Sequence, residues 1–489
     1  MAKKYTLAKH QVYASEMMDT TNILALFYEA GTGKTMCVLD WLYRNFKMHE
    51  DFECALIVCP ANLVSNWRSA IDKMSQFEGY TDYGIRMMHK RIEVRSFQRT
   101  YQTVKVTKKK RDGTIKTEKE VVNRPDIQHN WSAIIVDESQ GLGAHNSSQT
   151  ESLLKLSSLT THRYILSGTP VSGGGGQEDY KKLYGQLKFL DPDLWPNWTA
   201  FCRELVVAMD NYHKPKVYRN DQCLALMKAY GIVARLDDCY DMPDYLDIPI
   251  LVDIGCPLVY NEVVEGFMKK YNIEIKTGGG KFIKLMELVS GFMKNINDEC
   301  DSYDCNKAQA VADIINGTDD KVVIFCNYRY SIDQVEKICK KHGKTVVFDG
   351  RSTTDTWRDF QFGDARYLIC QYQSGGTGID LFASHTMIFY EPSFSSLLME
   401  QAKARIRRKG QNRKCLYYWL TTKASIEEKV VETVRNGVDA SREMLNEWAK
   451  EKTLTNASAS LPESQRDGED TAPAEETEVF EAVDLDAKD

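Results

Sequence analysis

The chain has 489 residues, of which 43% are hydrophobic and 27% are charged, and its formal net charge is −6 at pH 7. This length predicts roughly two to four domains with their own cores, and the composition excludes a chain that is disordered throughout. No apolar run reaches about 18 residues, and none follows the charged N-terminus, so we expect neither a membrane span nor a secretory signal. The thirteen cysteines do not form two close pairs, which favours reduced thiols in an intracellular protein over a zinc site.

The charge is unevenly distributed along the chain. Residues 462–489 contain eleven acidic and two basic residues, which gives −9 there and leaves +3 for all the others. A segment this acidic cannot bury enough apolar surface to fold alone, so we predict a disordered acidic tail over 451–489. Its simplest role is to keep the chain in solution, but Phe480, Val483 and Leu485 leave open a short motif for a protein partner. Contacts with nucleic acid would have to come from local basic patches.

Short apolar runs with polar ends recur in the first half of the chain. They are Asn22–Phe27, Ala55–Cys59, Ala133–Val136 and Tyr164–Leu166. Between them, apolar residues recur at helical spacing. Buried strands that alternate with helices are typical of a doubly wound parallel sheet, which binds its ligands at the carboxyl ends of the strands.

The same pattern starts again in the second half, at Lys321–Cys326, Thr345–Phe348, Tyr367–Cys370 and Thr386–Tyr390. The sequence therefore predicts an α/β protein with two lobes. We assign residues 1–242 to the first lobe and 243–450 to the second. A mostly helical insertion runs from about 178 to about 317, interrupted by an extended segment at Tyr245–Ile254.

Residues 104–122 have the pattern of a β-hairpin, with alternating residues on either side of Asp112-Gly113. The segment contains seven basic and three acidic residues. Two interpretations stay open. The charges protect the edges of an exposed hairpin, or the hairpin contacts DNA through its most basic stretch, Lys108, Lys109, Lys110 and Arg111.

The strongest chemical signal is a loop between the first predicted strand and a helix, Gly31-Thr32-Gly33-Lys34-Thr35. Glycines allow backbone amides to curl around phosphate oxygens, and the helix N-terminus adds partial positive charge. Lys34 would contact the β- and γ-phosphates, and Thr35 would bind Mg²⁺. The full pattern has another glycine five positions before Gly33, where this chain has Tyr28.

Asp137 and Glu138 follow a strand of four apolar residues. An aspartate at such a strand end can hold Mg²⁺, directly or through water. The adjacent glutamate can orient and deprotonate an attacking water. Together with the lysine loop, this acidic pair predicts hydrolysis of a nucleoside triphosphate.

A basic cluster lies at Gln401–Gln411. At helical spacing, Arg405 and Arg408 would share one face. A solvated basic helix is one interpretation. In a two-lobed nucleotide hydrolase, however, an arginine from the second lobe can stabilise the γ-phosphate in the transition state.

The order of these segments resembles the superfamily-2 helicases, and in particular the Swi/Snf-like branch of double-stranded DNA translocases, over residues 5–440. The matching motifs, from the Gln motif through motifs I, Ia, Ib, II, III, IV, V and VI, are Leu7 with His10 and Gln11, Glu29–Thr35, Val58–Trp67, Ser96–Gln98, Asp137–Gln140, Leu166–Pro170, Lys321–Tyr328, Ser374–Leu381 and Gln401–Gln411. Three positions depart from the usual pattern: Gln140 and Arg407 each replace a histidine, and Asp380 replaces an asparagine.

This resemblance implies two tandem RecA-like lobes with ATP and Mg²⁺ in the cleft between them. Lys34, Asp137 and Glu138 would act in catalysis with Arg405 and Arg408 when the lobes close, and Thr35 and Asp137 would hold the metal. The implied nucleotide-binding residues are Gln11, Gly31, Thr32, Gly33, Lys34, Thr35, Gln140, Gly378, Asp380 and Gln401. The implied DNA contacts are Pro60, Asn62, Ser96, Thr169, Asn327, Ser374, Gly375 and Gly376.

The implied partner is DNA, double-stranded or branched, bound through its phosphates and therefore without sequence preference. The main interpretation is an ATP-driven translocase on double-stranded DNA. A strand-separating or branch-migrating helicase would share every ATPase motif, with the hairpin as its candidate wedge. A protein of another class, an adaptor that uses ATP only to switch a partner-binding surface, is the third interpretation.

Overall fold

The structure is a computed structural model. It describes residues 4–109, 115–143, 145–171, 180–211, 214–268, 273–275, 278–295, 299–352, 356–375 and 379–436. The predicted acidic tail and the Asp112-Gly113 turn lie outside these ranges. No helix within them is both long enough and apolar enough to cross a membrane. All thirteen cysteines are free thiols.

The elements up to residue 239 are, in chain order, α1 (Lys9–Thr20), β1 (Ile23–Tyr28), α2 (Lys34–Met48), β2 (Ala55–Cys59), α3 (Val64–Lys73), α4 (Asp82–Arg91), β3 (Ile92–Ser96), β4 (Tyr101–Lys109), β5 (Ile115–Asn123), β6 (Ala133–Asp137), α5 (Ser148–Leu156), β7 (His162–Leu166), α6 (Lys181–Leu190), α7 (Trp198–Leu205), β8 (Val206–Met209), β9 (Pro215–Tyr218), α8 (Asn220–Tyr230), β10 (Gly231–Ala234) and α9 (Leu236–Cys239).

The elements from residue 245 onward are β11 (Tyr245–Val252), α10 (Pro257–Glu265), β12 (Phe267–Met268), β13 (Ile273–Glu274), α11 (Gly278–Val289), β14 (Phe292–Lys294), β15 (Cys300–Ser302), α12 (Lys307–Asn316), β16 (Val322–Cys326), α13 (Arg329–Cys339), β17 (Thr345–Phe348), α14 (Trp357–Phe362), β18 (Tyr367–Gln371), α15 (Tyr372–Gly375), β19 (Thr386–Phe389), α16 (Ser396–Lys403) and β20 (Cys415–Thr422).

Two six-stranded sheets organise the two lobes. Their strand orders are β10-β1-β7-β6-β2-β3 and β11-β20-β19-β16-β18-β17, and every pairing within them is parallel. All eight predicted apolar runs coincide with strands of these sheets. The predicted fold class, two RecA-like doubly wound lobes, is confirmed.

Each sheet is covered by helices on both faces. In β1, Leu26 and Tyr28 pack with Trp41 against α1–α4, whereas Ala25 and Phe27 pack on the other face with α5–α8. Alternation along a strand sends successive side chains to opposite faces, so a strand covered on both sides must be apolar throughout. The second sheet follows the same rule. Because the strands are parallel, their carboxyl ends meet at one edge of each sheet.

The insertion between the lobes is less helical than its pattern predicts. Three antiparallel ribbons, β8–β9, β12–β13 and β14–β15, interrupt its helices. One more short strand, β10, joins the first sheet beside β1. The extended segment that the sequence predicts at Tyr245–Ile254 is the eight-residue strand β11, which pairs with β20 at the edge of the second sheet. Strands of two to four residues are too short to show a period, so their identity depends on the pairing partner.

The predicted hairpin is confirmed as a two-stranded antiparallel ribbon. Strands β4 and β5 pair over nine residue pairs, from Tyr101 with Asn123 to Lys109 with Ile115. The ribbon therefore begins three residues earlier than the sequence pattern predicts.

A fully buried ion pair lies within the second lobe. Lys307, at the start of α12, donates to Glu427, and both side chains are 0% exposed. Glu427 also accepts from the Thr422 backbone N–H at 2.7 Å. Burial raises the pKa of the neighbouring Glu391 to about 7, although Lys307 acts in the opposite direction. One lysine thus compensates for two buried carboxyl groups.

We therefore expect that Lys307→Met lowers the free energy of unfolding by about 3–5 kcal/mol, because it leaves a buried carboxylate without a partner. Urea denaturation would measure this loss. The double variant Lys307→Met/Glu427→Gln should recover a large part of the stability, because it removes the orphaned charge. A single variant as stable as the parent would contradict this interpretation.

Candidate active site

The glycine loop connects β1 to α2 at the carboxyl edge of the first sheet. Gly31 and Gly33 have φ values of 90° and 88°, a backbone conformation that disfavours side chains. A Cβ atom on Gly33 would also lie 2.1 Å from Gln11 Nε2. Helix α2 begins at Lys34, so the unpaired amides of its first turn and the loop amides form a cradle suited to phosphate.

Backbone carbonyls hold Lys34 and Gln11 against this loop. Lys34 Nζ donates to Tyr28 O at 2.7 Å. Gln11 Nε2 donates to Thr32 O at 3.2 Å, and Gln11 Oε1 accepts from Ala8 N at 3.0 Å. Gln11 is therefore placed beside the loop, with both ends of its amide bonded to the protein.

Asp137 ends β6 as a buried carboxylate. Its Oδ2 accepts from Trp67 Nε1 at 2.9 Å, and its Oδ1 accepts from the Glu138 backbone N–H at 2.9 Å. Burial and the charge of Glu138 raise the pKa of Asp137, whereas the ammonium of Lys34 lowers it. Two hydrogen-bond donors and one cation thus compensate for the buried charge.

Glu138 adopts the left-handed conformation, with φ 50°, which is uncommon for a residue with a side chain. Its Oε2 accepts from Gln140 Nε2 at 2.5 Å and lies 3.5 Å from Gln401 Nε2 of the second lobe. Gln140 Oε1 in turn accepts from Ser167 Oγ at 2.7 Å. The Glu138 carboxylate is therefore linked to the end of β7 through Gln140 and Ser167, and to the opposite lobe through Gln401.

The arginine cluster is arranged differently from the predicted helix. Helix α16 ends at Lys403, so Arg405 and Arg408 lie in the turns that follow it. The two arginines are nevertheless neighbours, because both donate to Ile379 O, at 3.3 and 3.1 Å. The two arginines are thus brought together by a carbonyl of another segment, Ile379 O, and not by the spacing of a helix.

Charge and burial differ between the two arginines. Arg405 also donates to Gln401 O at 2.9 Å, and burial together with Arg408 lowers the pKa of Arg405 to about 10. It therefore keeps its charge at neutral pH in a desolvated environment. Arg408 forms an ion pair with Asp380 at 2.5 Å. A Cβ atom on Gly31 would lie 3.5 Å from Arg408 Cβ, so this arginine borders the glycine loop.

The cleft between the lobes brings Lys34 and Glu138 of the first lobe together with Arg405 and Arg407 of the second. Its lining includes Lys34, Glu138, Thr169, Gln401 and Arg405. Positive groups from both lobes thus face a space that ends at the glycine loop.

The residues present fit a nucleotide with Mg²⁺. Gly31 and Gly33 leave the loop free of Cβ atoms, and the hydroxyl of Thr35 and the carboxylate of Asp137 are the oxygen donors that Mg²⁺ takes. Within the described residues, no cluster of three or more His, Cys, Asp or Glu side chains could hold a metal ion.

The predicted DNA contacts lie at the carboxyl ends of strands in both lobes. Pro60 directly follows β2, and Ser96 is the last residue of the neighbouring strand β3. Asn62 is exposed in the turn that follows β2. Ser96 and Thr169 are buried. The rest are distributed as follows: Asn327 follows β16, Ser374 and Gly375 end α15, Lys108 and Lys109 end β4, and Gly376, Lys110 and Arg111 lie outside the described residues. Gly378, which was assigned to the nucleotide site, also lies outside them.

The sequence analysis placed three further residues in motifs but assigned them no role at the site. Trp67 has no signal of its own, because its partner Asp137 is seventy residues away. Glu29 accepts from the Leu236 backbone N–H at 2.7 Å. Arg407 bonds to Asp237 at 2.5 Å and to Pro243 O at 2.9 Å. The segment between the lobes is therefore tied to the glycine loop on one side and to the arginine cluster on the other.

Comparison with known proteins identifies two family domains in this chain. Residues 11–238 match the model of the SNF2-related domain, and residues 306–410 match the model of the helicase conserved C-terminal domain. The chain is 23% identical over 467 residues to the DNA repair protein rhp54 of Schizosaccharomyces pombe. The alignment covers 82% of this chain and 53% of that protein. It is 25% identical over 429 residues to an uncharacterized ATP-dependent helicase of Mycoplasma genitalium. That alignment covers 82% of this chain and 38% of the relative.

Among solved structures, the chain is similar to the Sulfolobus solfataricus SWI2/SNF2 ATPase core in complex with dsDNA. The TM-score is 0.39 at 18% sequence identity, with 88% of this chain and 90% of that chain covered. The chain spans about half the length of the curated relatives that it matches. The two matched family models occur in the order of the two lobes and together cover about two thirds of the sequence. The chain belongs to the superfamily-2 helicases of the Swi/Snf type.

Proposed function

We propose that this chain is a DNA-dependent ATPase that couples ATP hydrolysis to movement along double-stranded DNA. The observation that carries the proposal is the position of Glu138, whose carboxylate meets Gln140 of its own lobe and Gln401 of the other. A hydrolytic site that needs groups from both lobes is complete only when the lobes are close together. Hydrolysis and lobe movement are then coupled.

The residues have distinct roles in this proposal. Lys34 neutralises the β- and γ-phosphates, and Glu138 accepts the proton of the attacking water. Arg405 and Arg408 leave their carbonyl partners and stabilise the charge on the γ-phosphate in the transition state. Mg²⁺, when bound through Thr35 and Asp137, would neutralise part of the phosphate charge. Gln11 would recognise the base, and Gln140, Gly378, Asp380 and Gln401 would complete the nucleotide site.

DNA as the partner rests on the family and on the names of relatives. The rhp54 protein and the RAD54 protein of Saccharomyces cerevisiae are named as DNA repair and DNA repair and recombination proteins. The predicted DNA contacts of the first lobe, Pro60, Asn62, Ser96 and Thr169, follow strands whose ends share one edge of the sheet. Contacts of this kind to phosphates would position the duplex without reading its sequence.

The test compares ATP hydrolysis with blunt duplex, single-stranded and forked DNA, together with displacement of a third strand from a blunt duplex. A translocase should be stimulated most by duplex and should displace the third strand while the duplex stays paired. Separation of forked strands would favour the strand-separating helicase. Hydrolysis that no DNA stimulates would favour the adaptor.

The phosphate chemistry gives one prediction. Glu138→Gln should still bind ATP but hydrolyse it far more slowly, because an amide cannot accept the proton of the water. Lys34→Ala should abolish turnover, because the loop loses the cation that faces the phosphates. Nucleotide binding and DNA-stimulated turnover, measured side by side, would check both. Wild-type turnover by Glu138→Gln would exclude its role as the base.

The arginine cluster gives a second prediction. Arg408→Ala and Arg405→Ala should each lower kcat by roughly a thousandfold while nucleotide affinity stays nearly unchanged, because such groups act mainly in the transition state. Arg407→Ala should have a smaller effect on kcat, because the Arg407 guanidinium pairs with Asp237 of the connecting segment although it also borders the cleft. Equal losses in all three variants would indicate a general basic surface instead.

The hydrogen bond between Trp67 and Asp137 gives a third prediction. Trp67→Phe should lower kcat/KM for ATP by about tenfold, because a hydrogen bond to a charged group contributes roughly 1.5–3 kcal/mol. Trp131→Phe is the control, since Trp131 is another buried indole that bonds to a carbonyl, Ile127 O at 3.1 Å. If both variants lose the same activity, the loss comes from packing and not from the contact with Asp137.

A further inference from the structure

The β4–β5 hairpin is firmly attached at the nucleotide edge of the first lobe. It starts five residues after Ser96, and Arg124 N donates to Thr100 O at 3.0 Å where the two strands meet the lobe. Helix α5 fixes the other side, because Lys155 Nζ donates to Val121 O at 2.6 Å. The direction of the ribbon is thus set by the lobe that contains the glycine loop.

The register of the hairpin separates its charges. A two-residue Asp112-Gly113 loop would pair Lys105 with Glu120. The observed register is shifted by one residue and pairs Lys105 with Lys119 and Lys108 with Lys116. Like charges directly opposite each other repel, so these two lysine pairs do not stabilise the hairpin by themselves.

Strand alternation then gives the ribbon two different faces. The positions on one face, which we name the lysine face, are Lys105, Thr107, Lys109, Ile115, Thr117 and Lys119. This face has three lysines and no carboxylate, and Lys105 and Lys119 are exposed. The positions on the other face are Val104, Val106, Lys108, Lys116, Glu118 and Glu120, where two glutamates accompany the two lysines.

We propose that the lysine face contacts the phosphates of a DNA duplex and holds the duplex against the first lobe. This inference rests on the proposed function, because it takes DNA as the partner. A polyanion would relieve the repulsion between Lys105 and Lys119, which occupy directly opposed positions of the ribbon. Of the residues that the sequence analysis assigned to DNA, Lys109 lies on the lysine face, whereas Lys108 lies on the opposite face.

Two double variants test the proposal, and each removes one directly opposed lysine pair. Lys105→Gln/Lys119→Gln changes the lysine face, and Lys108→Gln/Lys116→Gln is the matched control on the other face. Binding of a blunt DNA duplex is measured by fluorescence anisotropy over a range of salt concentrations. The lysine-face variant should bind several-fold more weakly, and the slope of log K against log salt should decrease by about 1 to 2.

The control should keep the wild-type slope, because positions 118 and 120 on the same strand face are glutamates, whose charge opposes that of the two lysine positions. Basal ATP hydrolysis without DNA should be unchanged in both variants, and thermal unfolding of the lysine-face variant should not fall below that of the parent, since a repulsive pair has been removed. Equal slopes for both variants and the parent would overturn the inference and leave the face to an acidic protein partner or to solvent. A parent chain that neither binds duplex nor is stimulated by it would instead overturn the proposed function.

Discussion

The active site depends on the burial of one carboxylate, Asp137, at the end of a central strand. A buried charge needs partners, and the surroundings provide the indole N–H of Trp67, a backbone amide and the ammonium of Lys34. Lys34 and Arg405 also donate hydrogen bonds to backbone carbonyls, Tyr28 O and Ile379 O. These bonds hold the two cations in place, and a phosphate can replace a carbonyl partner with little reorganisation of the protein.

The segment that joins the lobes is part of this balance. Glu29, at the start of the glycine loop, accepts from Leu236 N, and Arg407 pairs with Asp237 in the same short segment. Two polar contacts in series thus join the glycine loop to the arginine cluster. This arrangement is a physical route between the lobes that adds to the direct contact of Glu138 with Gln401.

Local sequence predicts the parts of the structure that depend on local physics. The eight apolar runs are strands because a sheet covered on both faces requires apolar residues at every position, and the glycine loop follows from its spacing. Edge strand β3 alternates buried and half-buried residues, so it gives a weaker signal. The bond from Trp67 to Asp137, the common carbonyl of Arg405 and Arg408, and the hairpin register all depend on residues that are distant in sequence or on the exact length of a loop. No local pattern contains that information.

Two departures from the usual motifs have a physical explanation in these contacts. Gln140 donates to Glu138 and accepts from Ser167 with the two ends of one amide, whereas a neutral histidine would need the right tautomer to do both. Asp380 gives Arg408 an ion pair where asparagine would give a neutral hydrogen bond. This pair is partly exposed, with 22% and 35% of the side chains accessible, so its contribution is about 0–1 kcal/mol. Such a pair orients Arg408 beside the glycine loop but is weak enough for a nucleotide phosphate to displace Asp380.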